Sequence, residues 1–302
     1  MFREVVDILG PGDVLVLNNT RVNAWRFRGK KPSGGEVEIL ALKETSSGIF
    51  ECLIKPAKRL KPGATFQLDL DVIGTVLEGG EEPTRIVRLT CETGDLHAKL
   101  ALIGELPLPP YITEKLDDWE RYQTVFSKSN GSAASPTAGL HFTPEILATL
   151  KAKGVTIATV TLHVGIDTFR PIQVDDVTNH QMHGEICEIT QESANLINNA
   201  RGSIIAVGTT VVRTLESFAT SRGKVGHGRK ESKLFISPGY SFKIVDGMFT
   251  NFHFPRTTML LMISAISSRE AILRAYGLAI EEKYRFLSFG DSMLLFKITT
   301  CC

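Results

Sequence analysis

The stretch SAASPTAGLHFTPEILATLKAKGVTIATVTLHVGIDTFRP, residues 132–171, decides the fold of this chain. Its first part consists of small and turn-forming residues, and such a loop lets its backbone approach a ligand closely. Thr143 fits an N-cap, Pro144 the first position of a helix and Gly154 a helix end, so a helix is predicted between them. The β-branched run 155–164 then predicts a strand buried on both faces. This order is typical of an α/β sheet, which binds ligands at its carboxyl edge.

The rest of the chain outside residues 23–107 also alternates helices and strands, which predicts a layered α/β domain with a parallel or mixed sheet. The N-terminal part contributes helix 2–9, strand 14–17 and a polar tip at residues 18–21. The later elements are helix 145–153, strand 155–164, strand 185–189, helix 191–201, strand 204–207, helix 211–221, a hairpin of strands 234–236 and 242–245 around Pro238-Gly239, a helix capped by Ser267 and Glu270 that runs to residue 283, and strand 293–298.

Residues 25–91 have a different pattern, with short alternating segments separated by glycine and proline turns. This pattern predicts a small antiparallel β-barrel. The strands are predicted at 25–28, 37–42, 49–54, 65–68, 72–77 and 85–91, followed by helix 95–103 and the stiff connector 106–110. We therefore expect an α/β domain of residues 1–22 and 108–302, with the barrel at 23–107 as an insertion.

Composition limits the class of protein. A chain of 302 residues with 43% hydrophobic residues can bury a large core in one or two domains. The sequence has no apolar run of membrane-spanning length, and acidic residues interrupt the N-terminus, so we expect a cytoplasmic protein without membrane contact. The five cysteines have no spacing suited to zinc, and we predict no metal site.

The net charge of +1 argues against a protein that coats nucleic acid nonspecifically, but it allows a local basic surface. Basic residues are concentrated in three clusters, for which the alternative is a set of solvated loops. The clusters are Arg26, Arg28, Lys30 and Lys31; Lys55, Lys58, Arg59 and Lys61; and Arg222, Lys224, Arg229, Lys230 and Lys233.

Gly208, Thr209 and Thr210 lie between a predicted buried strand and a predicted helix, so their N–H groups and hydroxyls favour an anion at the helix N-terminus. The alternative is that the two threonines only cap the helix. Arg213, one turn later, is predicted either to clamp a carboxylate or phosphate or to pair with Glu216 on the surface.

Histidines near predicted strand ends are candidate acids or bases, because imidazole exchanges protons near neutral pH. They are His141, His163, His183 and His253. The alternative for each is a structural imidazole that packs in the core. Asn251, Phe252 and His253 precede a helix start and predict a polar tip with a ring that stacks on a base, unless Phe252 belongs to the core.

The sequence lacks the Gly-x-Gly-x-x-Gly, Walker A, Gly-x-Ser-x-Gly and His-Glu-x-x-His motifs. Nucleotide hydrolysis, serine hydrolysis and zinc peptidase activity are therefore not indicated.

Long segments of the chain closely resemble the signature segments of one family. They are LVLNNTRV (15–22), LPLPPYI (106–112), ERYQTVF (120–126), SAASPTAGLHF (132–142), TLHVGIDTFRP (161–171), NHQMHGE (179–185), VGTTVVRTLES (207–217) and TNFHFPRTTMLLMISA (250–265). The family is that of the S-adenosylmethionine:tRNA ribosyltransferase-isomerases of queuosine biosynthesis, and the similarity runs nearly from end to end.

The resemblance implies an enzyme that transfers and isomerises the ribosyl group of S-adenosylmethionine (AdoMet) onto 7-aminomethyl-7-deazaguanine at the tRNA wobble position. The products are epoxyqueuosine-tRNA, adenine and methionine. AdoMet is then a cosubstrate, tRNA is the partner, no metal is required and we expect a monomer. Such chemistry needs a base for the acidic carbon beside the sulfonium, a proton donor for adenine and a cation for the carboxylate.

The residue patterns, taken together with the resemblance, predict three sets of site residues. The catalytic set is His141, His163, Arg170, His183 and Glu185, with His163 or His141 favoured as the base and Glu185 as the next candidate. The AdoMet-binding set is Thr137, Gly139, Gly208, Thr209, Thr210 and Arg213. The set that binds tRNA or its modified base is Asn19, Arg21, Asn251, Phe252, His253, Lys58 and Arg59.

Two features depart from the family pattern. Gly184 stands where the family has serine, so no hydroxyl role is expected there. The sequence starts at Met1 without the strand and the arginine-bearing segment that usually precede the helix at Phe2. If that segment completes the site, the alternative function is a noncatalytic or impaired tRNA-binding protein of the same fold.

Overall fold

The computed structural model describes residues 1–23, 25–78, 84–109, 111–114, 116, 118–165 and 184–298, without the side chain of Arg59. The chain forms two compact units. Unit 1 comprises Met1–Arg21, Leu116–Ser129 and Ser135–Cys302, and unit 2 comprises Val22–Lys115 and Asn130–Ala134. The predicted domain boundaries stay a prediction, because compactness does not show which part of a chain folds by itself.

The strands, in chain order, are β1 Val14–Asn18, β2 Thr20–Val22, β3 Arg26–Lys30, β4 Glu36–Ser46, β5 Ile49–Lys55, β6 Thr65–Gln67, β7 Val72–Val76, β8 Arg85–Cys91, β9 Ser129–Ser132, β10 Thr156–Leu162, β11 Glu185–Ile189, β12 Ile204–Val207, β13 Ala219–Ser221, β14 Lys224–Val225, β15 Gly228–Ser232, β16 Gly247–Asn251 and β17 Ser292–Phe296. The α-helices are α1 Val5–Ile8, α2 Leu96–Ile103, α3 Pro144–Ala152, α4 Gln191–Asn198, α5 Thr209–Ser217, α6 Thr258–Ile266 and α7 Arg269–Glu281. Short 3₁₀ helices cover Phe2–Glu4, Ala57–Arg59, Trp119–Tyr122 and Thr137–His141.

Unit 1 is built on a mixed sheet, which confirms the predicted α/β fold. Among the described residues seven strands join in the order β15-β11-β10-β1-β12-β16-β17. The strands β10, β1, β12 and β16 are parallel, whereas β11 and β17 run antiparallel to their neighbours. The carboxyl ends of the parallel strands therefore meet at one edge of the sheet. Those ends are Asn18, Leu162, Val207 and Asn251.

Burial along the strands follows their position in the sheet. All residues of β1, β12 and β16 are buried, as expected for strands covered on both faces. The prediction that 155–164 is buried on both faces is wrong, because buried and half-buried residues alternate over most of β10. Thr159 and Thr161 stand on the half-buried face, where the Thr161 hydroxyl donates to Oδ1 of Asn19 at 2.8 Å.

The helix predicted in the opening stretch is confirmed as α3. The Thr143 hydroxyl accepts the N–H of Ile146 at 3.3 Å, and Pro144 occupies the first helical turn. Gly154 follows with a φ of +87°, a conformation that favours glycine. Thr143, Pro144 and Gly154 therefore occupy the N-cap, the first turn and the end of the helix, as predicted.

The hairpin predicted at residues 234–245 is wrong. A turn forms at Pro238-Gly239, but neither flanking segment is a strand. The buried carboxylate of Glu216 accepts the N–H groups of Lys243, Ile244 and Val245 at 2.9–3.0 Å. Because a side chain satisfies donors that a partner strand would otherwise bind, the segment has no need of a hairpin.

Other differences concern element ends. Ser268 caps α7 rather than Ser267, and its hydroxyl accepts the N–H of Ala271 at 3.1 Å. The helix predicted to begin at residue 211 begins at Thr209 and ends at Ser217. The strands β15 and β16 were not predicted, since β15 lies in a basic run that reads as a linker.

Unit 2 contains the predicted barrel. Six strands of the described residues close in the order β3-β4-β5-β8-β7-β6, and every pairing is antiparallel. Its interior is apolar, and the fully buried rings include Phe27, Phe50 and Phe66. A cleft of about 770 Å³ on this unit is lined by Arg28, Lys30, Lys55, Glu36, Glu38 and Asp69 among others, so its charges balance and indicate no anionic ligand.

Candidate functional site

Asn18, the last residue of β1, links three elements at the carboxyl edge of the sheet. Its Nδ2 donates to the Leu162 carbonyl at 3.1 Å and to the Thr210 hydroxyl at 3.2 Å. Its Oδ1 accepts the N–H groups of Leu162 and Thr20 at 3.1 and 3.3 Å. The amide is 1% exposed, and a buried amide needs such partners. Asn18 therefore holds the end of β10 and the first turn of α5 beside β1.

The Thr137–His141 helix contacts the same edge of the sheet, on the side of β1 where β12 and β16 lie. A Cβ atom added at Gly208 would lie 3.5 Å from the Cβ of Ala138, so this helix lies against the start of α5. The Asn251 Nδ2 donates to the Thr137 hydroxyl at 2.9 Å, and its Oδ1 lies 2.8 Å from Nε2 of His141. The structure thus brings together several residues proposed for catalysis and AdoMet binding.

The environment of His141 favours the neutral imidazole. Burial lowers its pKa, while the hydrogen bond to Asn251 and the carboxylate of Asp291 oppose this shift. The ring also packs against Phe2, with 5.2 Å between ring centroids. A neutral, half-buried imidazole held on one face is suited to accept a proton.

The N-terminus of α5 differs from those of the other helices of eight residues or more in the described part of the chain. Asp95, Thr143, Thr190, Thr257 and Ser268 cap α2, α3, α4, α6 and α7 with side-chain hydrogen bonds. The N-cap of α5 is Gly208, at a φ of +89°, and has no side chain to supply one. The alternative that Thr209 and Thr210 cap this helix is therefore wrong, because both lie inside it.

Arg213 and Glu185 form a buried ion pair between α5 and β11. The Arg213 Nη1 donates to Oε2 of Glu185, and the two side chains are 9% and 4% exposed. The other oxygen of Glu185 accepts the N–H of Gly165 at 2.8 Å. The predicted alternative of a surface pair between Arg213 and Glu216 is wrong, since Glu216 binds the 243–245 backbone instead.

His163 follows β10 directly, and its N–H donates to the Ile186 carbonyl at 3.0 Å. Burial and then the guanidinium of Arg229 lower its pKa, and the carboxylate of Glu188 opposes them. His163 follows β10, whereas Asn251 ends β16, and β1 and β12 lie between these two strands. At a spacing near 4.8 Å per strand, β10 and β16 are about 14 Å apart. His141 contacts Asn251, so the two histidines do not form one hydrogen-bonded pair.

His253 and Phe252 occupy structural positions. His253 is half-buried, and its Nε2 lies 2.7 Å from the Thr250 hydroxyl. Phe252 is 3% exposed and packs against the rings of Tyr276, Tyr284 and Phe286. The expectation that Phe252 stacks on a base is corrected, because its faces are already covered, and the core alternative fits.

Gly139 also serves packing. A Cβ there would lie 2.7 Å from Phe126 and 2.9 Å from Thr124, closer than real side chains allow. Protein atoms therefore fill the space that a side chain would need, and the contact of Gly139 with AdoMet stays a prediction.

The structure also shows the contacts of other predicted residues. In unit 1 the Asn19 Oδ1 accepts from Thr161 at 2.8 Å, and Arg21 donates to Ser127 at 3.1 Å and pairs with Glu120. In unit 2 Lys58 is exposed on the Ala57–Arg59 turn. Arg170, His183 and the side chain of Arg59 lie outside the described residues.

Sequence reasoning missed Asn18 as an organising residue of the site. The available signal was an amide directly after the apolar run Val14–Leu17, where a buried strand meets the sheet edge. Sequence alone does not reveal that this amide reaches both Leu162 and Thr210.

Among the described residues, no helix is long and apolar enough to cross a membrane. No group of three or more histidine, cysteine or acidic side chains there is arranged to hold a metal ion.

Comparison with known proteins confirms the resemblance noted in the sequence. The model of a family described as "Queuosine biosynthesis protein" matches residues 1–295. The S-adenosylmethionine:tRNA ribosyltransferase-isomerase of Clostridioides difficile (strain 630) is 48% identical over 300 residues, which is 98% of this chain and 88% of that protein. A crystal structure of S-adenosylmethionine tRNA ribosyltransferase from Thermotoga maritima is 33% identical, with 97% of this chain and 85% of that chain covered and a TM-score of 0.49. From the family match and the C. difficile relative, this chain belongs to the queuosine biosynthesis protein family.

Proposed function

We propose that this protein is a transferase that moves and isomerises the ribosyl group of AdoMet onto 7-aminomethyl-7-deazaguanine in the tRNA wobble position. The products are epoxyqueuosine-tRNA, adenine and methionine. The observation that carries the proposal is the 48% identity, over nearly the whole chain, to a relative named for this ribosyl transfer. Action in the cytoplasm as a monomer stays a prediction.

The carboxyl edge of the sheet supports a site for AdoMet. The uncapped N-terminus of α5 offers N–H groups and the positive end of a helix dipole, which suit the carboxylate of the methionine part. Thr210, held by Asn18, adds a hydroxyl there. Arg213 is not needed in this role, since Glu185 already neutralises it.

His141 is the best-placed base in the described part of the chain. Its neighbour Ala138 lies against the start of α5, so a molecule bound there extends toward the histidine. The sulfonium of AdoMet acidifies the 5′ carbon, and a neutral imidazole near it can accept the proton. His163 is the second candidate for the base, and it lies at the end of β10.

The decisive experiment measures adenine release from AdoMet with tRNA carrying 7-aminomethyl-7-deazaguanine, and with unmodified tRNA as the control. We expect release only with the modified tRNA, and epoxyqueuosine in the digested product. Binding of both substrates without adenine would instead support the noncatalytic alternative.

A matched pair of variants tests the base. His141→Ala should lower turnover by about 10²-fold or more, because a lost acid or base costs that much. His97→Ala removes an exposed imidazole in unit 2 and should leave turnover unchanged. A His141→Ala enzyme with normal turnover, together with an impaired His163→Ala enzyme, would transfer the role to His163.

A further inference from the structure

We infer that Asn251 is a positioning residue that holds His141 as the Nε2–H tautomer and leaves Nδ1 as the atom that accepts a proton. The inference rests on the proposed function, because it assigns an atom to the base of that reaction. Its structural part, the tautomer, is measurable without any turnover.

The amide of Asn251 connects two groups of the Thr137–His141 helix. Its Nδ2 donates to the Thr137 hydroxyl at 2.9 Å, which turns its Oδ1 toward Nε2 of His141 at 2.8 Å. In this orientation of the amide its oxygen faces the ring and can only accept, so the proton of the neutral ring lies on Nε2. Nδ1 then carries the lone pair.

The position of Asn251 is fixed by the sheet rather than by a loop. It is the last residue of β16, 3% exposed, and it lies opposite Ser292 of β17 in the antiparallel ladder. Rotating its side chain would break both hydrogen bonds and leave buried polar groups unpaired, which is unfavourable. The amide therefore acts as a rigid reference for the imidazole.

The imidazole is restrained on further sides. Phe2 covers one face of the ring, and the described residues offer Nδ1 no hydrogen-bond partner. Of the described charged groups, the carboxylate of Asp291 acts on His141, and its Oδ2 already accepts the N–H of Arg285 at 2.7 Å. The free acceptor of the ring is thus Nδ1.

In the proposed step a proton moves from the 5′ carbon of AdoMet to Nδ1 of His141. The C–H bond at the 5′ carbon breaks, its electron pair stays on the carbon beside the positive sulfur, and the proton bonds to Nδ1. The ring becomes an imidazolium, and its Nε2–H bond to the Asn251 oxygen becomes charge-assisted and stronger. Asn251 would stabilise the base in both protonation states without touching the substrate.

The first test observes the tautomer directly. Protein labelled with ¹⁵N at histidine is studied by long-range ¹H–¹⁵N NMR at pH 7.5, and His141→Gln identifies the signal. We expect His141 as the Nε2–H form. A Nδ1–H form would overturn the inference whether or not the enzyme is active.

The second test separates positioning from simple packing. Asn251→Asp keeps an oxygen for Nε2 but adds a charge, so the acidic limb of the kcat/KM profile should move to higher pH by about one unit or more. Asn251→Ala should lower kcat roughly tenfold or more, with KM for AdoMet within about twofold.

Asn195→Asp is the matched control, because Asn195 is exposed on α4 and the same change there should not move the profile. An unshifted profile in Asn251→Asp, or a loss confined to KM, would assign Asn251 a structural role. If no variant and no wild-type protein turns over, the tautomer still decides the inference by itself.

Discussion

At the scale of single residues, His253 shows how burial determines protonation. It follows the end of β16 by two positions, and its ring nitrogen lies beside the Thr250 hydroxyl. Burial lowers its pKa to about 4, against 6.5 for an ordinary histidine. The ring is therefore neutral in the folded protein at neutral pH, which suits a core residue better than a contact to RNA.

This shift predicts a pH dependence of stability. Because the folded pKa lies below the unfolded one, the contribution is full above about pH 6.5 and is lost as the pH falls toward 4. The difference in unfolding free energy between wild type and His253→Gln should change by about 3 kcal/mol over that range. Urea unfolding of both proteins at pH 7 and pH 4.5 measures it. A constant difference would show that His253 already titrates normally in the folded state.

At the scale of elements, α5 contributes buried charges on two sides. Arg213 pairs with Glu185 of β11, and Glu216 binds the backbone before β16. The second contact replaces the predicted hairpin, and burial together with Glu216 raises the pKa of the Tyr240 hydroxyl bonded to it. α5 thus fixes the approach to β16, the strand that ends at Asn251.

The Arg213–Glu185 pair predicts a double-mutant result. Arg213→Met should cost about 3–5 kcal/mol of unfolding free energy, because it removes the buried cation that neutralises the Glu185 carboxylate. Adding Glu185→Met should restore much of the loss, since neither charge is then buried. Lys233→Met is the control, because its pair with Glu231 is exposed and should contribute less than about 1 kcal/mol. Urea unfolding decides, and equal losses in the single and double variants would contradict the assignment.

At the scale of the whole molecule, the basic clusters differ in how many of their ammonium groups already contact other groups of the protein. In the third cluster, Lys224 and Lys230 donate to the carbonyls of Asn198 and Ser217, and Lys230 also lies over the ring of Phe218. In the second cluster, Lys55 pairs with Glu38, whereas Lys58 is exposed. We therefore expect phosphate contacts from Lys58 more than from Lys230.

The expected result is a salt-dependent affinity for tRNA. The logarithm of the binding constant should fall linearly with the logarithm of salt, and Lys58→Ser should reduce the slope by about 0.7–0.9 if it removes one phosphate contact. Lys151→Ser, an exposed change on α3, serves as the control and should leave the slope unchanged. Fluorescence anisotropy between low and moderate salt measures both slopes. Binding that does not vary with salt would exclude a phosphate-driven interface.

The sequence by itself determined most helices and barrel strands, because their signals are local, but it did not predict β15 and β16. Thr143, Pro144 and Gly154 define α3 within one short stretch, and the barrel strands are marked by their own turns. It also indicated polar residues at the carboxyl edge, since a polar residue after an apolar strand such as Val14–Leu17 is visible in the chain. The family segments gave the function that the comparisons support.

Only the tertiary structure decided how these residues pair. The partners in His141–Asn251 are 110 positions apart, and those in Arg213–Glu185 are 28 apart. No local pattern encodes such contacts, because a carboxylate or an amide accepts any donor that the fold brings within reach. The roles of Arg213, Glu216 and Phe252 therefore depended on burial and distance, which the sheet sets when its strands assemble.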